Sequence, residues 1–98
     1  MHIKEVTELK DTVEMMTSED YKERFRAEYH QTKIRYKKLK KLNTRIEAVL
    51  RMPYNMPGRI EMPDHDCPED ILRDQEMCME KYLHLLELRA EIEGIILE

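Results

Sequence analysis

The 98 residues carry 17 Lys+Arg against 21 Asp+Glu, a formal net charge of −4, with charged side chains at 39%, two glycines, one phenylalanine and no tryptophan. That length holds one domain, and that composition suits long solvated helices rather than sheet, so the expected fold class is all-α. Overall acidity disfavours duplex nucleic acid as a partner, the apolar runs are too short for a membrane span, and charges follow Met1-His2-Ile3 too soon for a signal peptide, so a soluble protein of the cytoplasm is expected.

Apolar residues recur at helical spacing instead of being merely sparse, which argues against disorder. Cys67 and Cys78 lie eleven positions apart and match neither a disulfide framework nor a zinc ribbon. Free thiols are expected.

Ile3, Val6, Leu9, Val13 and Met16 fall three or four apart and predict a short amphipathic helix within residues 1–17. Alone it would be marginal, so it must dock on something. Thr17-Ser18-Glu19-Asp20 offers hydroxyl caps followed by acids, the mark of a new helix from about Ser18. Phe25, Tyr29, Thr32, Tyr36, Leu39, Asn43, Ile46 and Leu50 then alternate steps of four and three, a heptad seam on a helix spanning 18–51.

The prolines at 53, 57 and 63 break that helix and predict a connection over 52–67, longer than bundles usually need and therefore mobile or used for binding. Pro68 fits the first position of a further helix over 68–98, with Glu69 and Asp70 favourable beside its N-terminus. The expected seam there is Ile71, Gln75, Cys78, Tyr82, Leu85, Arg89, Ile92 and Ile96, flanked by Leu72, Met79, Leu86 and Ala90. Leu83, Leu88 and Ile95 lie off it. Gly94 is either a fraying end or a place where another backbone comes close.

Residues 18–51 sum to +6 and residues 68–98 to −6. Two amphipathic segments of opposite sign around a Pro-rich break predict an antiparallel hairpin, and the breadth of apolar surface predicts a homo-oligomeric bundle.

Lys33, Arg35, Lys37, Lys38, Lys40, Lys41 and Arg45 form the densest charge feature. They read either as a solvated or ion-paired face, with Glu69, Asp70, Asp74, Glu76 and Glu80 alongside to neutralise it, or as a phosphate-binding surface, with Tyr29 and Tyr36 able to stack on bases. Glu28 and Arg89 are expected within reach of each other as a structural ion pair, the functional alternative being that Arg89 or Arg24 faces a pocket between subunits and grips phosphate. His65, Cys67, Asp64 and Asp66 do not make a convincing set of four metal ligands, and no spacing pairs a nucleophile with a base. No metal, cofactor or enzymatic activity is expected.

Asp20-Tyr21-Lys22-Glu23-Arg24-Phe25-Arg26-Ala27-Glu28-Tyr29, then Ile34-Arg35-Tyr36-Lys37-Lys38-Leu39, resembles the first helix of a small protein family of crAss-like and Gram-positive phages. Asp70-Ile71-Leu72, Gln75, Met79, Tyr82, Leu85, Glu87, Arg89 and Ala90 resemble its second helix. This hairpin is similar to that of the phage anti-CBASS and anti-Thoeris sponges, which oligomerise and hold cyclic-nucleotide or cyclic ADP-ribose messengers without cleaving them. The resemblance implies a nucleotide-binding anti-defence protein acting in the host bacterial cytoplasm, with ligand-binding residues Tyr21, Arg24, Tyr29, Lys33 and Arg89. An adaptor or inhibitor acting through protein–protein contacts is the alternative. The extra N-terminal helix and the longer loop depart from the family pattern.

Overall fold

The computed structural model describes residues 5–98, so Ile3 of the expected N-terminal stripe lies outside them. A 3-10 turn, Leu9–Thr12, runs into one α-helical turn, α1, Val13–Met16. Two long helices follow, α2 (Tyr21–Arg51, 31 residues) and α3 (Glu69–Glu93, 25 residues). The described residues contain no strand, and the class is all-α. No helix among them is long and apolar enough to cross a membrane.

The start of α2 is set by Asp20 instead of Ser18. The Ser18 hydroxyl accepts the Asp20 N–H at 3.1 Å, and the Asp20 carboxylate accepts the Lys22 N–H at 3.0 Å. A carboxylate both satisfies that donor and faces the positive end of the helix, which the hydroxyl alone does not. Pro68 likewise stands just outside α3 as its N-cap, with ψ at 144°, and Glu69 is the first helical residue.

The expected N-terminal stripe is displaced. Val13 and Met16 are exposed, and Thr12 and Met15 are buried in their place. The cause is local: Asp11 accepts the N–H groups of Thr7 and Glu8, so the helix begins late, and its first turn is 3-10. An α-helical period counted from residue 3 is therefore out of phase. Gln31 of α2 donates from Nε2 to Thr12 Oγ1 at 2.9 Å, docking this turn on the long helix.

Contacts between α2 and α3 run in opposite sequence order. Tyr21 meets Glu93, Tyr29 meets Glu87, and Asn43 meets Glu76 and the Leu72 carbonyl. Phe25, Tyr29, Leu83, Leu86, Ala90 and Ile95 form the buried cluster between them, with Tyr36 and Leu97 packed against it.

On α3 the buried row is not the expected one. Leu72, Leu83, Leu86 and Ala90 are buried, with Glu76 and Met79 half-buried between them, again at alternating steps of four and three. The predicted seam lies one residue earlier and is largely outside: Ile71, Tyr82, Leu85, Ile92 and Ile96 are all exposed, Ile92 at 84%. Two parallel rows of apolar residues compete for α2. The row with Ala90 wins because its small side chain lets the helices approach beside Phe25 and Tyr29, and because Ile95 joins it from beyond the helix.

Gly94 ends α3 in the left-handed region, with φ at +70°, and Ile95 N–H returns to the Ala90 carbonyl at 2.8 Å. Nothing stands within 4 Å of where a side chain would begin, so its role is the turn itself and not a close approach of backbone. Residues 95–98 then lie along α2. Arg26 Nε donates to the Ile96 carbonyl at 2.6 Å and His30 Nε2 donates to the Leu97 carbonyl at 2.8 Å. The connection between α2 and α3 is fastened by Arg59 Nη2 donating to the Val49 carbonyl at 3.1 Å and by a turn from Met56 N–H to the Pro53 carbonyl at 3.0 Å.

Truncation distinguishes the buried row from the solvent side of α3. Leu86→Ala, at a site 1% exposed, is expected to lose about 2–5 kcal/mol of stability in urea denaturation, whereas Met77→Ala, at a site 67% exposed, changes it by less than about 0.5 kcal/mol.

Candidate binding edges of the long helix

The five residues singled out in the sequence fall into separate groups. Tyr21 and Arg89 stand together where the start of α2 meets the end of α3. The Tyr21 hydroxyl donates to Glu93 at 2.9 Å and accepts from Arg89 Nη2 at 2.6 Å, and Arg89 Nε donates to Glu93 at 3.1 Å. The guanidinium also lies 5.0 Å from the centre of the Phe25 ring. Sequence spacing explains this: Arg89 and Glu93 are one turn apart on α3, as are Tyr21 and Phe25 on α2.

Glu28 belongs to this cluster but does not pair directly with Arg89. It accepts the hydroxyl proton of Tyr82. The expected Glu28–Arg89 ion pair is thus replaced by two shorter-range links, Tyr82 to Glu28 and Glu93 to Arg89. Gln75, the other polar member of the predicted seam, is exposed.

Arg24 turns away from the cluster, donating from Nη1 to the Ser18 carbonyl at 2.7 Å. Tyr29 and Lys33 lie on the other edge of α2. Tyr29 is buried in the helix seam and donates its hydroxyl to Glu87 at 3.0 Å; Lys33 Nζ stands 5.5 Å from its ring centre and is ion-paired with Glu98. Glu98 was not singled out from the sequence. Its position depends on the turn at Gly94, which no periodicity in the sequence encodes.

Two cavities adjoin the edge of Tyr29 and Lys33, and Tyr21, Glu28, Tyr82 and Arg89 line neither. One of about 570 Å³ lies between Tyr29, Glu87, Ala90 and residues 94–98. Another of about 390 Å³ is bounded by Val6, His30, Lys33, Ile34, Lys37, Lys38 and Glu98. The basic run is not neutralised as one expectation held: among the described residues no ion pair joins Lys37, Lys38, Lys40, Lys41 or Arg45 to Glu69, Asp70, Asp74, Glu76 or Glu80. Glu76 is held by Asn43, and Glu69 stands 3.8 Å from His65. Most of the basic side chains point away from α3 because the helix buries only one stripe against it.

The hydrogen bonds leave a titration signature. The Glu93 bond raises the Tyr21 hydroxyl above its usual value of 10.0, and the Glu28 bond does the same for Tyr82. Burial, then the Glu87 bond, raises Tyr29. Burial pulls Lys33 down but is outweighed by Glu98 and Tyr29, and the net shift is upward. The Lys33 bond in turn holds the Glu98 carboxyl below its usual range, helped by the charges of Lys33, His30 and Lys37.

No group of three or more His, Cys, Asp or Glu suited to a metal ion occurs among the described residues, and Cys67 and Cys78 are free. The chain matches the family model described as Sequestin over residues 19–92. It belongs to the Sequestin family. The Sequestin match covers α2, the connection and nearly all of α3, and leaves the N-terminal turn and residues 93–98 outside. Among curated proteins and among solved structures, no match to the chain is found. The family name denotes sequestration, which is binding rather than catalysis.

A raised folded-state tyrosine pKa favours the neutral hydroxyl, so the associated stabilisation is complete below pH 10 and is lost as pH rises through the folded-state value. Tyrosinate absorbance measured against pH is expected to show Tyr21, Tyr29 and Tyr82 ionising late. Glu28→Gln should bring Tyr82 back toward its ordinary value and leave Tyr29 in place.

Proposed function

We propose that this chain is a phage anti-defence sponge, which binds a cyclic-nucleotide or cyclic ADP-ribose-type immune messenger in the host bacterial cytoplasm and holds it without cleavage. The Sequestin match supports the sequestering part of this reading. The messenger class and the roles in CBASS or Thoeris evasion rest on the resemblance of the two helix motifs to the sponges.

The observation that carries the reading is the union of a polar cluster with a bare apolar stripe. Tyr21, Arg89, Glu28 and Tyr82 sit beside Leu85 and Ile92, which are left exposed by the described residues of one copy. The two helices are read as an antiparallel hairpin, and this stripe as the seam of a homo-oligomeric bundle in which a second copy covers it. Tyr21 then stands at a subunit boundary where water is excluded and its ring stacks on a base.

Arg89 spends two of its five N–H donors on Tyr21 and Glu93, leaving three for phosphate oxygens. One copy's edge also carries the carboxylates of Glu28 and Glu93, which oppose a phosphate. Arg24 and cations from a neighbouring copy are therefore required to complete the site. Tyr29 and Lys33 contribute from the opposite edge.

No turnover is needed. A sponge lowers the free messenger by mass action, so its potency follows the dissociation constant and the number of copies. The exposed stripe of Ile71, Leu85 and Ile92 also suits an adaptor that docks on another protein, and that is the second reading.

Purified protein incubated with cyclic di- and trinucleotides and cyclic ADP-ribose isomers, washed and then heated, is expected to release one of them intact. Arg89→Glu should abolish retention with helical circular dichroism preserved. Degraded ligand would indicate an enzyme, and absence of any retention with binding to a protein partner would establish the adaptor.

A further inference from the structure

The cavity of about 390 Å³ on the outer flank of α2 combines three ammonium groups, from Lys33, Lys37 and Lys38, with His30 and an apolar side made by Val6 and Ile34. It lies on a different side of α2 from Tyr21 and Glu28. Only Lys33 has a carboxylate partner; Lys37 and Lys38 have no ion pair among the described residues. Lys33 and Lys37 are one turn apart, a spacing at which like charges repel. The flank is therefore poised for negative charge.

The structure shows an anion already there. The Glu98 carboxylate pairs with Lys33 and is delivered by a segment anchored at three points: buried Ile95, the Arg26 bond to the Ile96 carbonyl and the His30 bond to the Leu97 carbonyl. Because those anchors hold the backbone, the carboxylate can leave by side-chain rotation alone, without unfolding the segment. The charges of Lys33 and Lys37 both act on this carboxyl, so the cavity presents a positive field to whatever anion occupies it. A monoanion nevertheless uses little of a cavity whose volume falls within the range of small-molecule sites.

We propose that this cavity is a second anion site, which takes a mononucleotide-sized phosphomonoester in place of the Glu98 carboxylate. A phosphomonoester dianion brings twice the charge of a carboxylate to three lysines, and the remainder of the molecule packs on Val6 and Ile34. Lysine ammonium groups suit this role as compact donors on flexible stems. His30, Lys33, Ile34, Lys37 and Lys38 lie inside the span matched to the family model, whereas Val6 and the resident carboxylate of Glu98 lie outside it. The site does not rest on the messenger-binding reading, although Lys33 figures in both.

The test is calorimetric titration of the full chain with adenosine monophosphate and, separately, inorganic phosphate. Wild type is expected to bind the monophosphate at millimolar concentration or below. Glu98→Gln removes the resident anion and should tighten binding about tenfold, whereas Lys37→Glu combined with Lys38→Glu, both on the solvent side of α2, should abolish it. Arg89→Glu should leave this binding unchanged, which separates the site from the Tyr21–Arg89 edge. Inorganic phosphate should bind more weakly than the monophosphate if Val6 and Ile34 hold the organic part. No heat with either probe in wild type or Glu98→Gln overturns the proposal, as does binding that survives the double lysine variant or that Glu98→Gln leaves unchanged.

Discussion

The structure depends on one buried strip where Phe25 and Tyr29 of α2 meet Leu83, Leu86 and Ala90 of α3, closed at its end by Ile95. A chain that buries so few of its large apolar side chains has little else with which to offset the entropy of ordering two long rods. Everything polar around the strip is arranged by it. Tyr29 places its ring in the strip and its hydroxyl on Glu87 at the margin, and Arg89 lies across the outer face of Phe25 while reaching Tyr21 and Glu93.

The strip also divides α2 into two functional margins. On one side, tyrosines and acids form a dense net of hydrogen bonds next to bare aliphatic surface. On the other, lysines dominate, and the residues after Gly94 are laid over them. Between Glu28 and Glu47 the helix carries seven basic residues and no acid. Such a stretch gains nothing from pairing along its own surface, and the acids of α3 do not reach it. Charge on this helix is thus directed outward, to ligands or neighbours, and is not consumed in holding the fold.

The all-helical class, the long second helix and most of its buried stripe were legible because Phe25, Tyr29, Asn43 and Ile46 fall on one row, although at the end of that row Val49 is buried and the expected Leu50 is exposed. The phase of α3 was not. Ile71, Tyr82, Leu85 and Ile92 make a more hydrophobic row than one containing Glu76 and Ala90, and counting apolar residues rewards the wrong choice. What decides is closeness of approach, which favours a small residue and is invisible to a count. At the candidate site, Tyr21 and Arg89 could be singled out because each carries a group suited to a phosphate or a base. The link from Lys33 to Glu98 could not, since it arises only after a left-handed glycine turns the chain back along a helix far away in sequence.

Asn43 has a consequence for how the molecule can respond to a ligand. Its buried amide donates to the Leu72 carbonyl at 3.1 Å and to Glu76 at 2.9 Å, near the end of the pair of rods opposite Tyr21. Sliding one rod along the other by a heptad would strand that amide without acceptors in a dry environment. Telescoping motion is thereby blocked, and any adjustment to a guest must come from swivelling side chains or from whole copies tilting against each other.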